Sequence, residues 1–283
     1  MAHVFANPNL PNYFLDAPEV TSADTARSFV AEYEDAKVIT FPNVSASIDH
    51  NFWANLDTDK YSSLKKFSSV IDADDFRNVD RHARKLSDLQ VDQGLSRDLC
   101  DQFRVIYDAL IPLHRAVFPE YSFTSRKVVW RLNTILNENM HVDQYSDEIE
   151  QHFARMFVNL DSQPRIWQTS WTADDMVRNQ RGKIPPRFLE GKTRGQIWSE
   201  LSALTFGRDA REWWDDQPRH VAYFDPGDVW IVDSRQIAHQ IFYGRRALSI
   251  DFLVEKESMK NPDRHYLEIA ARYRRENLTQ LAT

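Results

Sequence analysis

Two short stretches hold side chains that can bind a metal. In Asn139-Met140-His141-Val142-Asp143 an imidazole and a carboxylate stand two residues apart. On an extended chain His141 and Asp143 then project from the same face. A second imidazole, His239, follows Asp143 by 96 residues. It comes after the turn signal Asp225-Pro226-Gly227-Asp228 and the apolar run Val229-Trp230-Ile231-Val232. His-x-Asp on one strand with a distal histidine can build a triad of two histidines and one carboxylate. Such a triad covers one face of an octahedron around Fe(II) and leaves three positions open, enough for a bidentate co-substrate and then O2. The single cysteine, Cys100, cannot close a thiolate-rich structural zinc site. His-x-Asp triplets are common by chance, so the weight rests on the turn, the strand and the distal histidine in that order. His3, His50, His82, His114, His152, His220 and His265 lack that setting and read as structural or exposed.

Over residues 126–255 the chain resembles the Fe(II)/2-oxoglutarate-dependent oxygenases, on His141-Val142-Asp143, Pro226-Gly227-Asp228 and His239. More narrowly, Arg155-Met156-Phe157-Val158-Asn159-Leu160 followed by Pro164-Arg165-Ile166-Trp167 resembles the Kdo hydroxylases. Those enzymes hydroxylate the sugar acid 3-deoxy-D-manno-oct-2-ulosonic acid in lipopolysaccharide. The resemblance implies a double-stranded β-helix (a jelly roll, cupin-like) with Fe(II) at His141, Asp143 and His239. It implies 2-oxoglutarate as co-substrate beside O2, giving succinate and CO2 as an aliphatic C–H of a small polar metabolite is oxidised, most often hydroxylated. That metabolite is either an amino-acid-derived intermediate or a Kdo-like sugar acid. Asp143 argues against a halogenase, in which a small residue replaces the carboxylate.

The distal carboxylate of 2-oxoglutarate calls for a guanidinium fork. In the superfamily this arginine commonly opens an Arg-x-Ser on the strand after the distal histidine. Here that strand reads Gly244-Arg245-Arg246-Ala247-Leu248-Ser249, with alanine at the required position. Arg245 shares a face with Ser249 but comes two residues early. On the run from Phe153, one face is Ala154, Met156, Val158 and Leu160, and the other is Phe153, Arg155, Phe157 and Asn159. An arginine among aromatics on a central strand is costly to bury unless a carboxylate meets it. Arg155 therefore ranks first as the clamp, Arg245 second and Arg131 third, with Asn159 and Ser249 as neighbouring polar contacts. An ion pair with an Asp or Glu is the structural alternative for each arginine. Trp167, Trp171 and Tyr145 are candidate pocket walls, although aromatics here are more often core.

These residues need a frame. The pattern gives β-like runs at 128–136, 153–160, 165–169, 221–224, 229–232 and 248–254. Before them, Ser22 can cap a helix, 37–41 is a short strand, and 44–95 reads as loops with short helices. Leu99, Phe103, Ile106, Leu110, Leu113 and Val117 make one buried stripe of a helix from Ser96, which Pro112 should kink. A helical insert spans 172–217, and Asn261-Pro262 opens a final helix. We expect one domain over 1–283: a helical N-terminal layer (1–125), a β-helix core (126–256) and a C-terminal helix (261–283).

Composition narrows the function. Of 283 residues only seven are glycine, and none forms the Gly-x-Gly of a dinucleotide or phosphate loop. A net charge of −7 excludes a basic nucleic-acid surface, and Arg272, Arg274 and Arg275 read as a solvated helix face. No apolar run approaches the roughly 20 residues needed to cross a bilayer, and the first residues lack signal-peptide character. The expectation is a cytoplasmic enzyme with a small-molecule substrate, no nucleic acid and no integral membrane anchor, and a homo-oligomer is open. The rivals are a cupin-like metalloenzyme that does not use 2-oxoglutarate and a non-catalytic ligand-binding β-helix domain.

Overall fold

The computed structural model describes the chain except residues 1, 18–22, 42–47, 59, 61–63, 65, 72–79, 132–134, 137–139, 144–147, 207–216 and 280–283. The N-terminal part comprises β1 (His3–Phe5), β2 (Phe14–Asp16), α1 (Ala23–Glu34), β3 (Val38–Phe41), α2 (His50–Asn55), β4 (Lys66–Ile71), α3 (Asp80–Asp88) and α4 (Gln93–Val117). There follow β5 (Phe123–Arg131), β6 (Ile135–Leu136), β7 (His152–Asn159), β8 (Arg165–Thr172), α5 (Ala173–Asn179) and α6 (Arg194–Phe206). The chain then forms β9 (His220–Phe224), β10 (Val229–Ile231), β11 (Ile237–Gly244), β12 (Ala247–Val254) and α7 (Tyr266–Thr279).

The strands make two sheets, one of five in the order β1-β9-β8-β11-β6 and one of seven in the order β2-β3-β10-β7-β12-β5-β4. From β5 to β12 the chain supplies four strands to each, crossing between them as a double-stranded β-helix does. The expected fold class is therefore the observed one.

Side-chain alternation explains the layering. On β7 the apolar face, with Ala154, Met156 and Val158, packs in one core with Leu99, Phe103, Ile106 and Leu110 of α4 and with Phe29, Val30 and Tyr33 of α1. The other face looks between the sheets, where Phe157 joins Trp167, Phe224 and Trp230. Beyond the five-stranded sheet lies a third core: α5, α6 and α7 cover Ala238 of β11 and pack on Met140 and Val142, the neighbours of His141. Each large apolar side chain so buried contributes about 2–3 kcal/mol.

Helix α4 begins a turn before Ser96 because Asp92 caps it, its side chain accepting from the Leu95 N–H at 2.8 Å, and the helix continues past Pro112 to Val117. The stretch 44–95 also holds a strand. Among the described residues β4 pairs only with β5, at the sheet edge, and its Lys-Phe-Ser-Ser-Val-Ile has too little apolar alternation to announce itself. The run 128–136 is divided between β5 and β6, which belong to different sheets. Asn261-Pro262 opens a 3-10 turn, Pro262–Arg264, and α7 starts after it. The proposed Ser22 cap lies outside the described residues.

Candidate active site

His141 and His239 are joined through their backbones. The His141 N–H donates to the His239 carbonyl at 3.1 Å, and the His239 N–H returns the bond at 2.8 Å. This bridge extends the five-stranded sheet by one residue and sets the two rings 4.6 Å apart. The Asp143 N–H donates to the Ser234 carbonyl at 2.8 Å, so the turn between β10 and β11 fixes where the carboxylate starts.

Asp143 divides its two oxygens. Oδ2 accepts from Arg155 Nη1 and from the Ser234 hydroxyl, the latter at 2.6 Å. Oδ1 stands 3.5 Å from His141 Nε2 and 3.9 Å from His239 Nε2. Among the described residues these three are the group that can hold a metal, with one ligand atom from each lying within 4.8 Å of the others. Cis ligands on bonds of roughly 2.1 Å are about 3 Å apart, so a small contraction brings this set onto a metal. The residues present fit a divalent ion with open coordination positions.

Protonation matches that use. Burial would raise the Asp143 carboxyl, but Arg155, the two imidazoles and Ser234 outweigh it and hold the group well below the usual carboxylate range. Burial, reinforced by His141, lowers His239 to about 3. The ring is therefore neutral, and Nδ1 lies 3.2 Å from the Ile237 carbonyl. A donor bond there leaves the Nε2 lone pair for a ligand. Trp167 stacks on the same ring, with centroids 5.3 Å apart and planes 22° apart.

The arginines have separate partners. Arg155, buried on β7, faces Asp251 directly across on β12 and donates to both its oxygens, the Nη2 bond being 3.2 Å. It is thus held between two carboxylates, Asp143 and Asp251. Arg245 forms a bidentate pair with buried Asp161, at 2.8 and 2.6 Å. The backbone of Arg131 pairs with Ala247, the place where Arg-x-Ser would put its arginine, but its side chain lies outside the described residues. The Asn159 amide is taken up by the loop after its own strand and by the end of β9: Nδ2 donates to the carbonyls of Gln163 and Phe224, and Oδ1 accepts from the Asp161 N–H. Ser249 is buried on β12 between Phe157 and Val129. Trp171 packs against the outer helical core, and Tyr145 lies outside the described residues.

Arg165, the first residue of β8, is 2% exposed and stands outside the candidates that residue type and spacing single out. By alternation it shares with Trp167 and Thr169 the face between the sheets. Thr169 is the cross-strand partner of His239, about 13 Å along the strand from Arg165. A Cβ on Gly244 would stand 2.3 Å from Arg165 Nη1 and 2.8 Å from its Cγ. The guanidinium lies across β11 only because that residue is glycine. The signal was legible in Pro164-Arg165-Ile166-Trp167, where Arg165 alternates with the ring that packs on His239.

The double-stranded β-helix and the gathering of His141, Asp143 and His239 agree with the Fe(II)/2-oxoglutarate-dependent oxygenase class that the sequence resembles. More closely, the chain belongs to the family described as 3-deoxy-D-manno-oct-2-ulosonic acid (Kdo) hydroxylase, whose profile matches residues 17–276. Its fold is similar to that of the Kdo hydroxylase KdoO, a non-heme Fe(II) alphaketoglutarate dependent dioxygenase. Against the complex with succinate and Fe(III) the TM-score is 0.66, at 17% identity over 95% of each chain. Against the cobalt(II) complex it is 0.61, at 16% identity over 90% of this chain and 93% of that one. Against the apo form it is 0.61, at 15% identity over 95% and 96%. No curated protein sequence matches the chain.

Proposed function

We propose that the protein hydroxylates a Kdo-type sugar acid, with Fe(II) held by His141 Nε2, Asp143 Oδ1 and His239 Nε2. The observation that carries this reading is the divided carboxylate: Asp143 Oδ2 is occupied by Arg155 and Ser234, and Oδ1 is left facing both imidazoles. Family membership favours the sugar acid over an amino-acid-derived metabolite. With iron and 2-oxoglutarate bound, the site supplies insertion of one oxygen atom of O2 into a C–H bond, the other passing to succinate as CO2 is released.

The chain's own residues do the positioning. Arg155 turns the Asp143 carboxylate and neutralises Oδ2, while Asp251 anchors Arg155 from the neighbouring strand. Arg165, buried on the strand whose Thr169 pairs with His239, is the residue we assign to the distal carboxylate of 2-oxoglutarate. A buried guanidinium between the sheets is the charge such a dianion needs. Trp167 shields the His239 ring from water on one side.

The test is incubation of the Fe(II)-loaded enzyme with 2-oxoglutarate, O2 and free Kdo, following succinate and a product heavier by one oxygen. Succinate release that depends on Kdo, with the hydroxylated product, supports the reading. Iron binding without any such coupling would remove the substrate assignment. Arg165→Met checks the clamp separately: it should weaken 2-oxoglutarate binding in anaerobic titrations while Co(II) affinity stays unchanged.

A further inference from the structure

On the outer side of the helices that back the five-stranded sheet, one segment runs against the charge of the chain. The protein as a whole carries −7, yet residues 178–194 hold Arg178, Arg181, Lys183, Arg187, Lys192 and Arg194 against one acid, Glu190. Three of these cations meet acids of the protein. Arg178 pairs with Asp175 at 2.9 Å, Lys192 with Glu200 at 3.2 Å, and Arg194 with Glu148, Glu150 and Glu268. Arg181, Lys183 and Arg187 are exposed and have no ion pair among the described residues.

Beside them two large apolar side chains face outward, Phe188 at 52% exposure and Leu204 of α6 at 44%. Phe188 ends the 3-10 turn Pro186–Phe188, which follows Pro185, and the Arg187 guanidinium lies 5.1 Å from its ring centroid. A groove of about 470 Å³, with Lys183, Pro185, Phe188, Ala203 and Leu204 in its walls, runs between turn and helix. The turn is fixed in place. Ile184 and Leu189 are buried on either side of it in the core that holds Trp198 and Leu201. Its base is tied to α7 by the Gly182 N–H donating to Asn277 Oδ1 at 2.7 Å and by the Tyr273 hydroxyl donating to the Gln180 carbonyl at 2.9 Å. Phe188 is therefore held out on a proline-stiffened support that is anchored on both sides.

We propose that this face docks on a lipid surface rich in anionic headgroups, with Phe188 and Leu204 entering the acyl boundary and Arg181, Lys183 and Arg187 contacting the headgroups. Protruding apolar side chains beside exposed cations are the composition of an interfacial membrane contact. A protein partner would need a facing surface of about 800 Å². A bilayer boundary needs only a few protruding apolar side chains and no matching shape. The inner side of α6, with Ile197, Trp198 and Leu201, packs in the same core as Met140 and Val142, which flank His141. Docking thus sits about one helix breadth, roughly 10 Å, behind the segment that carries His141. The proposal goes beyond the oxygenase chemistry and does not depend on it.

The experiment is co-sedimentation of the full chain with phosphatidylcholine vesicles, with and without phosphatidylglycerol, at low and at high salt. Binding to the phosphatidylglycerol vesicles at low salt, lost at high salt and absent from pure phosphatidylcholine, is the expected result. Lys183→Glu with Arg187→Glu should weaken it more than tenfold, since each cation contributes about a fivefold factor at an anionic surface. Phe188→Ser with Leu204→Ser should weaken it at unchanged charge. Arg97→Glu with Lys260→Glu, the same charge change elsewhere, should lower it far less. Absence of binding, or equal losses in both charge-reversed variants, overturns the proposal. So does concentration-dependent self-association that Phe188→Ser with Leu204→Ser abolishes, because the face would then be a contact between copies of the chain.

Discussion

Arg155 holds Oδ2 of Asp143 and leaves Oδ1 to the two histidines. The arginine comes from the seven-stranded sheet and is anchored there by Asp251, its direct cross-strand neighbour. The direction in which the carboxylate presents its free oxygen is thus set from the sheet opposite the one that extends to His141 and His239.

Removing that steering should act on the metal first. Arg155→Ala is expected to weaken Co(II) binding by about 10–100-fold, the usual cost of losing a partner that orients a ligand. Arg155→Lys should recover part of it. Competitive chelator titration reads the effect. If Co(II) affinity is intact and only 2-oxoglutarate affinity falls, Arg155 is the clamp that its place on the strand first suggested.

The ligands themselves predict a sharper result. His141→Ala and His239→Ala should each abolish Co(II) binding at micromolar protein and 2-oxoglutarate turnover with it, while far-UV circular dichroism stays that of the parent. Parent-like turnover in either variant would remove the triad.

Gly244 offers a test of Arg165 that leaves the arginine in place. A methyl group there meets Nη1 at 2.3 Å, so Gly244→Ala must displace the guanidinium. The expected outcome is at least a tenfold loss of 2-oxoglutarate affinity with Co(II) affinity unchanged, measured by anaerobic titration. An unaltered affinity would transfer the clamp to Arg131, whose backbone pairs with Ala247.

Behind the site, Asp233 and Arg235 are wholly buried. The Arg235 guanidinium lies between the rings of Phe153 and Tyr266, 4.1 and 4.5 Å from their centroids, and Arg235 Nε donates to Asp233 Oδ1 at 3.3 Å. The pair sets the turn from which Ser234 reaches Asp143. Arg235→Met leaves a buried carboxylate without its cation and should destabilise the fold by about 3–5 kcal/mol. The double variant with Asp233→Asn should lose less than the two single losses added together, which urea unfolding can resolve.

Stability should also fall with acid through buried histidines. Burial, helped by Lys85, lowers His82 to about 4, and its Nε2 meets the Tyr107 hydroxyl at 2.7 Å. Between the ordinary histidine pKa near 6.5 and that value, the unfolded chain binds the proton and the folded one does not, so stability declines as pH falls. From pH 7 to pH 5 His82 alone accounts for about 2 kcal/mol. Urea unfolding of His82→Gln at the two pH values should show a correspondingly smaller decline, and an identical slope would exclude this assignment.

The fold was legible where short-range pattern determines it. The stripe on α4 and the two-faced alternation of β7 specify which side of each element is buried, and the turn Asp225–Asp228 marks the strand before His239. The edge strands β1, β2 and β4 were not legible, being short and lacking a clear apolar alternation. Within the candidate site, His141 and Asp143 meet by local spacing, so the sequence brings them forward directly. The partners of Arg155 and Arg245 depend on pairings across the chain: Asp251 lies opposite Arg155 only once β7 and β12 are in register, and Asp161 reaches Arg245 only through the loop after β7. An apolar or aromatic neighbourhood in the sequence shows that a buried arginine needs an anion. It does not say which one.

The division of the candidate ligands between the sheets has a mechanical consequence. Both histidines continue the five-stranded layer, whereas Asp143 is gripped from the seven-stranded one through Arg155 and from the β10–β11 turn through Ser234. An ion joining the three acts as a rivet through the sandwich. Amides on β7 and on β11, which share no ladder, should therefore slow together in hydrogen exchange when the ion enters, and loosen together when a chelator draws it out.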